Sequence, residues 1–117
     1  MRPSALTIPA GASVSNAVNI APGMVGRGFV IAKEWKVSTI LRLEVSDDNT
    51  NWVTPRDIAG TEISFDPKKL DLVKAVYITL TNPFIPGMNW VRVASGPSAT
   101  PVNQDNAALV GLVWAKV

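Results

Sequence analysis

The chain has 117 residues, enough for one domain with a core of its own. Apolar residues make up 47% and charged residues only 17%, a balance that excludes a disordered chain. The formal net charge is +2 and the longest basic run is the pair Lys68 and Lys69, so no stripe of Lys and Arg marks a nucleic-acid surface.

Cysteine and histidine are both absent. That excludes disulfides, thiol nucleophiles, zinc–thiolate sites and any triad built on an imidazole base. A carboxylate pair, a lysine or an oxygen-ligand metal site would remain for catalysis. No spacing among Glu34, Glu44, Asp57, Glu62 and Asp66 singles out a glycosidase pair. Asp47, Asp48 and Asn49 lack the repeated acidic spacing and the downstream Glu of a calcium loop. No catalytic residue, cofactor or metal ligand is expected, and no enzyme. No apolar run follows Met1 that would serve a signal peptide, and residues 106–115 reach only about half a membrane span. A protein made in a cytoplasm, with no membrane partner, is expected.

In chain order, residues 1–12 hold Pro3 and Pro9 with Leu6 and Ile8 between them. They are expected to form an extended N-terminal arm that reaches a neighbouring subunit by strand addition. Residues 13–117 are expected to form the sandwich domain. Prolines and glycines, nine and eight of them, punctuate short apolar runs along the chain instead of clustering. Alternation marks strands over residues 13–20, 28–32, 39–45, 51–54, 62–65, 75–81, 89–94 and 109–116. In the third, Leu41, Leu43 and Val45 face one way and Arg42 and Glu44 the other. Asp66 followed by Pro67 predicts one short helical turn between two strands. The expected fold is therefore all-β: a single antiparallel β-sandwich of jelly-roll type, with about eight strands and at most one short helical turn. The last strand is apolar on both alternation faces until Lys116, so a loop or another subunit should cover its outer side.

Ser46, Asp48, Asn49 and Trp52 lie in the turn after a well-alternating strand. Asp and Asn side chains bond their own backbone there, and Asn tolerates the left-handed conformation. A later strand reads Trp90-Val91-Arg92-Val93. A strand, then Ser-x-Asp-Gly-x-x-Trp, then an aromatic–apolar–Arg strand resembles discoidin-like (galactose-binding-like) β-sandwich domains, with Asn49 in place of the usual glycine. The resemblance is closer to small tailed-phage virion proteins. It runs through Ser15-Asn16-Ala17-Val18-Asn19-Ile20, the run from Phe29 to Trp35, Asp57-x-x-Gly60-Thr61-Glu62, and Ser95 to Gln104, and covers most of residues 13–116. It implies a structural component of a virus particle: a capsid decoration (cement) protein, or a neck or tail component. The partners it implies are other virion proteins, the major capsid protein first, and a homo-oligomer, a trimer for a decoration protein. No lectin binding set matches residue by residue, so sugar binding stays an alternative carried by Trp and by Asn or Asp in loops.

The four tryptophans, Trp35, Trp52, Trp90 and Trp114, are either core or contact residues. Phe84, Ile85 and Met88 sit among prolines in one loop, where they are either buried or presented to a partner. The expected partner interface is Leu6, Ile8, Phe84, Ile85, Met88, Trp90, Arg92 and Trp114.

Overall fold

The computed structural model describes residues 4–20, 23–69, 74–84 and 88–116. Its strands are β1 (Ser4–Ile8), β2 (Val18–Asn19), β3 (Met24–Ile31), β4 (Leu41–Ser46), β5 (Ser64–Phe65), β6 (Val76–Phe84), β7 (Trp90–Ser95) and β8 (Ala108–Lys116). A single 3₁₀ turn, Pro67–Lys69, stands between β5 and β6. Asp66 starts it as the sequence predicts, its Oδ1 accepting the Lys68 amide at 3.0 Å.

The strands form two antiparallel sheets. The first has the order β1-β8-β3-β6 and the second β2-β7-β4-β5. The pairs β1–β8, β2–β7, β3–β6 and β4–β5 are those of one long hairpin folded between β4 and β5. Rolling that hairpin up joins its pairs through β3–β8 and β4–β7. The result is an eight-stranded jelly roll.

Period-2 alternation sends one side of every strand between the sheets. Leu6 and Ile8 of β1, Phe29 and Ile31 of β3, and Ala108, Val110, Leu112 and Trp114 of β8 meet Leu41, Leu43 and Val45 of β4 and Val91 and Val93 of β7. Phe29 of β3 packs edge-to-face on Phe65 of β5, with ring centroids 5.3 Å apart. Trp35 closes one end, its Nε1 donating to the Thr39 carbonyl at 3.1 Å.

Residues 4–8 are not a free arm. They pair with β8 from Ser4↔Leu112 to Ile8↔Ala108, and Leu6 and Ile8 are fully buried. The alternation of Leu6 and Ile8 around Thr7 is a strand pattern, and the flanking prolines only bound it. The outer edge of β1 is occupied as well. Asn16 Oδ1 accepts the Thr7 amide at 2.8 Å and Asn16 Nδ2 donates to the Ala5 carbonyl at 3.4 Å. One side-chain amide thus stands where a further strand would pair. Its neighbour Ser15 donates its amide to the Val93 carbonyl of β7 at 2.9 Å, and its Oγ accepts the Val93 amide at 3.0 Å. The strand expected over residues 13–20 does run beside β7, bridging at Val14↔Ala94 and pairing again at β2, with its ladder broken between the two. The strand expected over residues 51–54 reduces to one bridge, Val45↔Val53.

Because Leu6 and Ile8 lie in the core, removing residues 1–8 should collapse the stability of the domain. Leu6→Ala alone should lower it by about 2–5 kcal/mol, the usual cost of a core leucine. Urea unfolding followed by tryptophan fluorescence measures both. A truncated chain as stable as the full one would return these residues to the role of a detachable arm.

Candidate functional site: two unlike outer faces

The two sheets turn very different outer faces to the surroundings. On the second sheet the outward residues of β4 and β7 are Arg42, Glu44 and Ser46 opposite Ala94, Arg92 and Trp90. Arg42 is only 2% exposed. Its Nε donates to the Gly96 carbonyl at 2.9 Å and its Nη1 to Thr54 Oγ1 at 3.1 Å and to Glu44 Oε2. Glu44 Oε1 accepts Arg92 Nε at 2.6 Å. The Arg92 guanidinium lies 4.2 Å from the centroid of the Trp52 ring. A continuous chain of charge-assisted bonds therefore runs from Gly96 through Arg42, Glu44 and Arg92 to Trp52.

Two loops cover this network. One contains residues 53–63. Asp57 Oδ1 accepts the amides of Ala59 at 2.9 Å and Thr61 at 3.0 Å, which closes its turn. Glu62 takes Arg56 Nη2 at 3.1 Å, the Ser98 amide at 3.2 Å and the Ser98 hydroxyl. The other loop contains residues 95–104. Val102 donates to the Ser95 carbonyl at 3.0 Å, and Gln104 Oε1 accepts the Lys36 amide at 2.8 Å. The Glu62–Ser98 contact joins the two loops. The hydrogen bonds from Ser98 hold the Glu62 carboxyl below the usual range.

The turn between β4 and Trp52 follows the expected chemistry. Asp48 Oδ1 accepts the amides of Thr50 at 2.9 Å and Asn51 at 2.8 Å, and Ser46 Oγ donates to the same oxygen at 2.9 Å. Asn49 has φ 59°, the left-handed conformation a glycine would adopt more cheaply. These bonds, the backbone amides of Asn51 and Thr50 foremost, hold the Asp48 carboxyl far below its usual range.

The first sheet turns out an uncharged face. Its central row is Ala5, Gly111, Val30 and Tyr77, crossing β1, β8, β3 and β6. Val113, Gly28 and Thr79 form the row on one side, and Thr7 and Leu109 begin the row on the other. No charged residue stands in these rows. Leu109 is 48% and Tyr77 52% exposed, while Val30 and Val113 are half-buried. Tyr77 lies across Gly28, where any Cβ would strike the Ile78 carbonyl oxygen and the tyrosine hydroxyl. An antiparallel sheet with a wet face carries polar residues on alternate positions. This face carries the hydroxyls of Thr7, Thr79 and Tyr77 but no charge in these rows, with Leu109, Val30 and Val113 as its apolar part.

The residues expected at an interface separate into groups. Leu6, Ile8 and Trp114 face inward and are buried in the core, so they present no side chain to a partner. The alternation of residues 109–116 puts Trp114 on one face with Val110 and Leu112, and that face is the inner one. Trp90 and Arg92 share the outer face of the second sheet, Trp90 half-buried and Arg92 committed to Glu44 and Trp52. Met88 is 39% exposed just before β7. Ile85 and the side chain of Phe84 lie outside the described residues. Sequence reasoning did not single out Leu109, Tyr77 and Val30 as the outward residues of the first sheet. The signal was present in the doubly apolar last strand, but it did not show which of its faces turns outward. It also missed the Arg42–Glu44–Arg92 chain, since Arg and Glu on an outer strand face read as ordinary solvated residues. Among the described residues no three Asp or Glu side chains gather as metal ligands would.

Removing one member of the buried chain leaves the others uncompensated. Glu44→Ala should destabilise by about 3 kcal/mol or more, whereas the double change Arg42→Met with Glu44→Leu should recover much of that loss. Urea midpoints of the single and double variants decide this, and equal midpoints for wild type and Glu44→Ala would refute it. Asp48 and Glu62 give the pH dependence. Both ionised forms are favoured by the native chain, so their contribution is complete above the normal carboxylate range near ~4 and is lost as pH falls through the depressed native values. Asp48→Asn keeps the amide acceptor but removes the charge. It should lower the urea midpoint at neutral pH and narrow the gap to wild type in acid. A gap that stays constant with pH would contradict the assignment.

No family model, curated protein or solved structure matches the chain.

Proposed function

We propose that this chain is a non-enzymatic structural component of a tailed-phage particle, a capsid decoration (cement) protein that bridges capsid subunits. The observation that carries the reading is the uncharged, partly exposed outer face of the first sheet around Leu109, Val30 and Tyr77. Bridging needs a second contact, and the loop of residues 53–63 offers one on the second sheet's side. Ile58 at its tip is fully exposed, and Val53 and Ile63 are 51% and 37% exposed. Binding of such surfaces to an assembled shell stabilises that shell by mass action.

Several of the motifs behind the resemblance to phage virion proteins act as fasteners. Ser15 and Asn16 tie β1 to β7, Asp57 and Glu62 shape and anchor one loop, and Ser95 and Gln104 anchor the other. Those residues specify a rigid body, which is what a bridging protein requires. A jelly roll serves capsid proteins, lectins and cupins alike, so the fold by itself does not choose among them. Sugar binding through stacked tryptophans draws less support. Trp35 and Trp114 are buried, and Arg92 already covers a face of Trp52. A neck or tail position uses the same surfaces and differs in copy number.

Purified virus particles, assayed by mass spectrometry calibrated on the major capsid protein, should contain this chain in comparable copy number. Leu109→Lys should leave the free protein folded and sharply reduce its incorporation. Absence from particles, or incorporation unchanged by Leu109→Lys, would overturn the proposal; a far lower copy number would move the protein to neck or tail.

A further inference from the structure

Each sheet has two edge strands, and three of the four are protected. Asn16 occupies the outer edge of β1, and β2 and β5 are two residues long each. Short or blocked edges are how proteins avoid unwanted pairing. The fourth edge, β6, has nine residues without a charge, Val-Tyr-Ile-Thr-Leu-Thr-Asn-Pro-Phe. It pairs only with β3, and no other backbone bond among the described residues uses residues 76–79. Beyond Thr79 the register with β3 breaks, jumping from Gly28↔Thr79 to Gly26↔Phe84, so the regular open edge is residues 76–79.

The same flank exposes apolar side chains from the second sheet. Phe65 of β5 packs under β3, the neighbour of β6, so β6 and β5 end the two sheets on one side. Val53 continues the line of β5 along β4 through its bridge to Val45 and is 51% exposed, and Ile63, just before β5, is 37% exposed.

We propose that β6 is a self-pairing edge, on which a second copy of this chain adds its own β6 antiparallel about a two-fold axis. Directly opposed residues of an antiparallel pair share a sheet face. A two-fold pairing must therefore oppose residues of equal parity, with the axis passing beside Tyr77 or beside Ile78. In the first register Tyr77 meets Tyr77 of the other copy on the outer face, and Val76 meets Ile78 on the inner face. In the second, Tyr77 meets Thr79. Both registers place an uncharged residue against an uncharged one, with Lys74 beyond the paired stretch, so no like charges meet. A foreign strand could use the same backbone groups, but self-pairing also brings Val53 and Ile63 of both copies to the same flank. The contact is isologous and closes at two copies, not the three expected for a decoration protein. It stands on the strand edge and does not depend on the particle reading.

Sedimentation equilibrium of the full chain, from about 1 μM to 1 mM, tests it against the range of weak interfaces. A monomer–dimer equilibrium is expected. Tyr77→Lys combined with Thr79→Lys places like charges across the axis in either register, on side chains already exposed, and should weaken the dimer at least ~10-fold while the far-UV circular dichroism of the folded chain is kept. Amide hydrogen exchange on the wild-type chain supplies a readout that needs no variant. Exchange within residues 76–79 should slow as concentration rises. A monomer throughout the range, a dimer indifferent to the double substitution, or exchange at residues 76–79 independent of concentration would each overturn the proposal.

Discussion

Arg42 carries a full charge into a position only 2% exposed, and much of the second sheet is arranged around it. A buried guanidinium is tolerable only when its donors are met, which requires a carboxylate and carbonyl or hydroxyl oxygens at fixed places. Glu44 supplies the carboxylate from the same strand, Gly96 a carbonyl from one loop, and Thr54 a hydroxyl from the other. Glu44 in turn fixes Arg92, which lies over Trp52. The loops of residues 53–63 and 95–104 thereby become part of the rigid body. The second sheet loses its free outer face, and most of its charge is satisfied internally.

The two outer faces of the sandwich are therefore unlike. A two-layer sandwich this small has few surfaces to offer. One layer is roofed by its own loops over an ionic network. The other exposes small and apolar residues in rows across four strands, with Arg27 at the bulge in β3 and Lys116 at the end of β8 outside those rows. Arg27 falls between Gly26 and Gly28, where the register shifts and the strand's alternation is interrupted. The uncharged face is thus bounded by the geometry of β3 as well as by composition.

Much of the fold is legible in the sequence because alternation reports directly on which residues enter a two-sheet core. Leu41, Leu43 and Val45, and Val91 and Val93, take the inner positions their spacing implies. The turn at Asp48 is legible for a similar reason, since its hydrogen bonds run between residues two and three apart. What was hidden depends on long-range partners. Nothing local to Leu6 and Ile8 says that their strand pairs with residues near the other end of the chain, so they read as an arm. Nothing local to Asn16 says that its amide will cap that strand's edge. Arg42 and Glu44 alternate outward as solvated residues do, and only loops that arrive much later in sequence turn them into a buried pair. The outer face of the first sheet needs all four strands in register before its lack of charge becomes a surface.

The central claim is that the outer face of the first sheet is the surface buried on assembly. Hydroxyl-radical footprinting of the protein, free and within purified particles, measures this side chain by side chain. Protection of Leu109 and Val113 on assembly, with the Asp48 turn remaining reactive at Asn51, is the predicted result. Equal reactivity of Leu109 and Val113 in the two states, or protection confined to Ile58 and its loop, would contradict it.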